Sequence, residues 1–282
     1  MFVRLQYLLP HHLLCRLVYW LTRSQWRGLK NLLIGAFMRG YAPEMADALQ
    51  PSPLAYHSFN AFFTRALRAD ARPIDPDPRR IVSPCDGTLS IAERTRGHEL
   101  LQAKSHRFTL EALLAAESGW ANRLADGLYA TVYLAPYNYH RVHMPLSGRL
   151  SAAWHVPGRL FSVNAATVKR VPQLFARNER VICAFEGESG AFVVVLVGAL
   201  FVGSMSTVWH GEVTPAAGVS VARRLEVSTA AGVWQPRGAE LGRFNMGSTV
   251  LLLLPPDLAR WDPALRPGQL LQMGQGLGTL LP

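Results

Sequence analysis

The sequence predicts an α+β protein, with a helical N-terminal region packed on a mostly antiparallel β domain. Three observations lead there. Residues 1–45 carry Leu, Tyr, Trp and Phe at helical spacing with charges between them. From Ile81 onward the apolar residues fall in short runs bounded by Gly, Pro, Asn or Asp. One longer helical pattern interrupts those runs. At 282 residues and 49% apolar, the chain can bury one large core or two small ones, and it has no low-complexity tract or fixed-period repeat.

The N-terminal stretch, MFVRLQYLLPHHLLCRLVYWLTRSQWRGLKNLLIGAFMRGYAPEM, suits two or three short amphipathic helices broken near Pro10 and Ser24. Arg4, Arg16, Arg23, Arg27, Lys30 and Arg39 precede the first acid, Glu44. No apolar run approaches the ~20 residues of a spanning helix. No small-residue cleavage site marks a signal peptide. Basic residues beside Trp and Leu are what an interfacial helix uses on an anionic bilayer. The competing reading is a helical cap on the protein's own core; we prefer the membrane surface. The net charge of +10 is mostly arginine. Charge alone also suits nucleic acid, but no RNA-binding aromatic motif is present, so no nucleic-acid partner is expected.

His57 to Arg80 reads as a helix, with Phe59, Phe62, Phe63 and Leu67 on one side, ending at a connector with Pro73, Pro76 and Pro78. Strand-like runs follow: IVSPCDGTLSIAE, LYATVYLAP, GRLSAAWHV, ERVICAFEG, GAFVVVLVGALFVGSMSTV, GVSVARRLEV and STVLLLLPP. The interrupting helix is TLEALLAAESGWANRLA, capped by Thr109. The tail RPGQLLQMGQGLGTLL reads as tight Gly turns between short strands. Cys15, Cys85 and Cys183 are too few and scattered for a disulfide framework, and no zinc spacing occurs, so no metal is expected.

Three stretches could carry chemistry. SPCDGTL holds Asp86-Gly87, on its own a tight-turn signal. APYNYHRVHMPLSG holds His140 and His143, suited to acid/base work because imidazole titrates near neutrality. FNMGSTVLLLLPPD places Gly247-Ser248-Thr249 at the mouth of a buried strand, where a bulge is the bland reading. Asp86, His143 and Ser248 are an acid, a base and a hydroxyl, the components of an activated serine. The hydrolase elbow GxSxG is absent, because VGSMS around Ser204 lacks the last Gly. These residues alone leave a serine hydrolase and a non-enzymatic membrane-binding module open beside other chemistry.

FNAFFTRALRADARPID, SPCDGTL, YHRVHMPLSG, SVNAATVKRVPQLFARNERV, VGALFVGSMSTVW, GAELGRFNMGSTV and the Gly-rich tail occur in one order from about residue 57 onward. In these motifs the chain resembles the bacterial, pyruvoyl-dependent phosphatidylserine decarboxylases. The family's usual Leu-Gly-Ser-Thr has Met246 in place of Leu, a change of little volume. The N-terminal helices resemble the family only in general character.

The resemblance implies a zymogen that cuts itself between Gly247 and Ser248. The products would be a β chain, 1–247, and an α chain, 248–282, whose first residue becomes a covalent pyruvoyl cofactor. It further implies His143 as base for Ser248, Asp86 as its orienting acid, and decarboxylation of phosphatidylserine to phosphatidylethanolamine through a Schiff base. His140 is the first candidate to reprotonate the product. Residues 1–56 would associate with an anionic membrane surface and 57–282 would form the decarboxylase domain. The location implied is peripheral, on the cytoplasmic face of the cell membrane. A homo-oligomer is left open. Cleavage itself should need none of the N-terminal helices.

Overall fold

The computed structural model describes residues 3, 6–103, 106–115, 118–200, 204–213, 221–226, 234–246 and 248–282. The first helices whose bounds lie wholly among the described residues are His11–Arg23 and Arg27–Tyr41. The breaks at Pro10 and Ser24 are those the sequence predicts. A third helix, Phe59–Phe63, is capped by Ser58, whose Oγ accepts from the Ala61 N–H. It ends at Thr64, well before the prolines. The chain leaves the helix there because Leu49 donates its N–H to the Ala66 carbonyl and Arg68 donates its own to Asp47. Tertiary pairing overrides helical spacing at this point. The Thr109 cap is present, but the helix behind it is split into Leu110–Leu114 and Ser118–Leu124. Ala115, at a left-handed φ of 39°, closes the first piece.

The β domain is built on one large antiparallel sheet. At its centre the strand Ser248–Leu254 lies between Gly190–Gly198 and Leu128–Leu134. Side chains of a strand alternate between faces. Val250, Leu252 and Leu254 enter one core cluster, while Leu251 and Leu253 enter another. Both faces are covered, which is why the strand reads as an unbroken apolar run. The first cluster is shared with a four-stranded sheet ordered Gly211–Val213, Met205–Thr207, Glu240–Phe244, Arg141–His143. Ser248 belongs to this face by alternation.

The N-terminal helices join the body on one side only. His11, Cys15 and Thr22 of the first helix and Ile34 and Phe37 of the second are buried. Phe37, Phe59, Phe62 and Phe63 form a small aromatic core whose partly buried neighbours include Met246. The other side stays open, with Leu13, Leu17, Trp20, Trp26 and Leu32 all more than half exposed. Thus one face caps the core and the other is apolar and, among the described residues, uncovered.

Candidate active site

Ser248 is the first residue of the central strand and pairs with Leu134 on one side and Gly198 on the other. It is 1% exposed, and among the described residues its Oγ has no hydrogen-bond partner. A buried hydroxyl without a partner is costly and calls for a reason. Gly247, the expected acyl side of the cleaved bond, lies outside the described residues.

Two chain segments leave this point together. From Leu134 the loop runs to His140. From Ser248 the chain runs back to Phe244, whose N–H donates to the His140 carbonyl at 3.0 Å. The histidine loop and the serine are thereby held at one end of the large sheet.

His143 closes the short strand Arg141–His143 and is 9% exposed. Its Nδ1–H donates to the Gly238 carbonyl at 2.8 Å. That bond leaves Nε2 as the lone pair, and Tyr139 donates its O–H to it at 3.0 Å. Burial holds this imidazole below the ordinary 6.5, opposed by the Gly238 hydrogen bond and then by the charge of Glu240. Burial also raises the Tyr139 pKa, so its hydroxyl stays protonated as a donor. Gly238 has φ +83°, where a side chain would be strained, and a Cβ would meet Ile74 at 2.9 Å.

Asp86 is 6% exposed and lies in the turn beside this strand, since the His143 N–H donates to the Pro84 carbonyl at 2.7 Å. The expected Asp86–His143 bond is not made. Arg72 Nε and Nη2 hold the carboxylate at 2.7 to 3.1 Å, and the Met273 N–H adds a fourth contact at 2.8 Å. Arg72 also reaches Asp47 at 2.7 Å. The neighbouring Gly87 is required by close approach, because a Cβ there would sit 2.4 Å from the Tyr133 carbonyl oxygen. Among the described residues no hydrogen bond joins His143 to Ser248.

His140 is fully buried and stacks on Phe63, with ring centroids 4.0 Å apart. Its Nε2–H donates to the Pro136 carbonyl at 3.2 Å, and among the described residues Nδ1 has no partner. Burial, opposed by the Pro136 hydrogen bond and helped by the nearby Arg65 charge, lowers its pKa to about 3. Arg65 is itself 3% exposed, with Nε and Nη1 unpartnered among the described residues. The proton-donor reading of His140 therefore meets a ring that is neutral and offers a lone pair.

Sequence reasoning did not find Arg72, Tyr139 or Arg65. It also missed a polar network on the flank. Asn245 donates from Nδ2 to Ser204 Oγ at 2.6 Å, and to Ser206 Oγ and Glu212 Oε1 at 3.2 Å each. Glu212 in turn pairs with Arg23 and accepts the Tyr19 hydroxyl at 3.1 Å. Among the described residues no cluster of His, Cys, Asp or Glu is arranged to hold a metal ion.

Comparison with known proteins gives a consistent result. The family model described as phosphatidylserine decarboxylase matches residues 59–279. A second, described as PSD, matches residues 1–42. The chain is 49% identical over 273 residues to the phosphatidylserine decarboxylase proenzyme of Azotobacter vinelandii, spanning 97% of this chain and 96% of the relative. It is 47% identical over 279 residues to that of Methylococcus capsulatus, spanning 99% and 96%. The Pseudomonas fluorescens proenzyme is 45% identical over 282 residues, spanning 100% and 98%.

Proposed function

The chain belongs to the phosphatidylserine decarboxylase family, and from that premise we propose that it cuts itself between Gly247 and Ser248 and then converts phosphatidylserine to phosphatidylethanolamine and CO2. The observation that carries this reading is the buried Ser248 Oγ at the head of the central strand, without a hydrogen-bond partner among the described residues.

In self-cleavage, Ser248 Oγ attacks the Gly247 carbonyl carbon and its proton goes to a base. His143 Nε2 holds the ring's lone pair, so it is the base; it exchanges its Tyr139 hydrogen bond for one to Oγ. Asp86 acts on it through charge rather than through a direct bond, held in place by Arg72. The acyl group moves from nitrogen to oxygen. β-Elimination then breaks the Cβ–Oγ bond, leaving a Gly247 carboxylate and a dehydroalanine at position 248. Tautomerisation and addition of one water release ammonia and leave a ketone. The strand pairing of Ser248–Leu254 on both sides keeps the new α chain in the sheet.

The site suits such a pyruvoyl group, because residue 248 is buried and its side chain is committed to no other partner. When formed, the group supplies an electron sink for loss of CO2. On this reading His140, whose Nδ1 lone pair is uncommitted among the described residues, takes the proton that the substrate ammonium must shed and returns it to carbon once CO2 has left. Between the two transfers the ring carries that proton as an imidazolium, a form that burial disfavours and keeps short-lived.

The free apolar faces of the first two helices dock on an anionic bilayer, on its cytoplasmic side, as a peripheral contact. Among the described residues no helix is long and apolar enough to cross a membrane. Arg16, Arg27 and Arg39 are exposed. Arg23 is committed to Glu212, and Lys30 to Asn31 and the Leu54 carbonyl. Fewer basic side chains thus meet lipid than the sequence count suggests. The test is release of CO2 from carboxyl-labelled phosphatidylserine in vesicles, with loss of activity on treatment with hydroxylamine, which captures a ketone. An uncleaved chain that hydrolyses esters would instead support the serine hydrolase.

A further inference from the structure

Beside the Asn245 network a cavity of about 380 Å³ opens between the four-stranded sheet and the N-terminal helices. That volume falls in the ordinary range of ligand pockets. Its walls include Arg23, His57, Asn60, Ser206, Thr207 and Arg243.

The charges in it are unequal. Glu212 is paired with Arg23, and Glu240 with Arg141 at 2.7 Å. Arg243 is left over: among the described residues its guanidinium makes no ion pair or hydrogen bond. A half-buried guanidinium in a concave pocket whose two carboxylates are each paired with another arginine matches an oxyanion, and phosphate above others, because its fork of N–H groups spans two phosphate oxygens.

Position adds a second argument. Asn245 lines the pocket and stands three residues before Ser248. Three residues span at most about 11 Å, so the pocket lies within a headgroup's reach of the reacting position. Arg23, at the end of the helix that exposes Leu13, Leu17 and Trp20, also lines it. A lipid lying against that face would present its phosphate to the cavity.

We infer that this pocket is the phosphate subsite for the lipid headgroup, with Arg243 as its principal ligand. The inference rests on the decarboxylase reading above. The chemistry it recognises is a phosphate oxyanion, whether on a lipid or free in solution.

The test compares wild type with Arg243→Gln. Intact mass first shows whether each chain has cleaved. Loss of one charge-assisted contact should raise KM for phosphatidylserine roughly 10- to 100-fold with little change in kcat. Turnover of a phosphate-free serine ester should not change. An unchanged KM for phosphatidylserine overturns the inference, while a wild type that neither cleaves nor releases CO2 overturns the decarboxylase reading instead. Where Arg243→Gln fails to cleave, the comparison moves to the uncleavable Ser248→Ala chain, with and without Arg243→Gln. Binding of glycerophosphoserine and of inorganic phosphate is then followed by phosphorus NMR. Arg243-dependent binding that favours glycerophosphoserine supports a headgroup site. Equal binding with and without Arg243, or preference for inorganic phosphate, overturns it.

Discussion

Arg72 grips the Asp86 carboxylate through Nε and Nη2, at 2.7 to 3.1 Å, in a turn where only 8% of the Asp86 side chain is exposed. Two residues 14 apart in sequence thus form an ion pair beside His143. The pair leaves Asp86 fixed without a bond to the imidazole.

Arg72→Met should leave Asp86 buried and uncompensated. Breaking such a pair typically costs roughly 3–5 kcal/mol. We expect a lower urea midpoint and accumulation of full-length precursor on denaturing gels. Arg72→Lys should rescue little, since an ammonium cannot reproduce the forked contact. Wild-type cleavage in Arg72→Met would remove the pair from the processing machinery.

Self-cleavage should keep its rate through pH 6.5 and fall only below it. On the proposed mechanism the base is the neutral form of His143, whose pKa burial sets below 6.5. Acid protonates it only once pH drops through that lowered value. Precursor made by cell-free synthesis and sampled over time gives the profile. An acid limb centred above 6.5 would assign the step to another group.

His140 should make the fold acid-sensitive. Its pKa is near 6.5 when unfolded and about 3 when folded. The unfolded chain therefore binds more protons below 6.5. The contribution is full above 6.5 and is lost as pH falls towards about 3, at up to about 1.4 kcal/mol per pH unit. His140→Phe keeps an aromatic ring against Phe63 and should flatten that slope in urea titrations. Parallel slopes in the two proteins would refute the assignment.

Much of this was legible in the sequence. The Ser248–Leu254 strand, the breaks at Pro10 and Ser24 and the Gly turns of the tail all follow from local pattern. The helix from His57 was overextended, because the pairing of residues 47–49 with 66–68 that ends it is not local. Arg72 was hidden for the same reason. It sits in a Pro-rich connector, and both carboxylates it joins come from elsewhere. Tyr139 was within reach, four residues before His143 in the same loop.

The N-terminal helices should matter for cleavage as well as for lipid, contrary to the expectation from sequence. Tyr19 and Arg23 hold Glu212, which bonds Asn245, and the Phe37 cluster packs against Met246. Deleting residues 1–41 should slow self-cleavage at least several-fold and abolish most vesicle binding. In the full chain, Trp20→Ser should weaken vesicle binding while leaving cleavage unchanged, because Trp20 is 71% exposed. High salt should weaken but not abolish binding, since apolar burial adds a part that salt does not screen. Deletion with wild-type cleavage would reduce these contacts to mere packing.

The most direct measurement is the intact mass of the purified protein beside Ser248→Ala. Wild type should resolve into two chains, 1–247 and 248–282, the shorter one lighter by one ammonia than a chain that begins with serine. Ser248→Ala should remain a single chain of 282 residues. A wild type that stays whole, or a Ser248→Ala protein that still divides at this bond, would contradict the account.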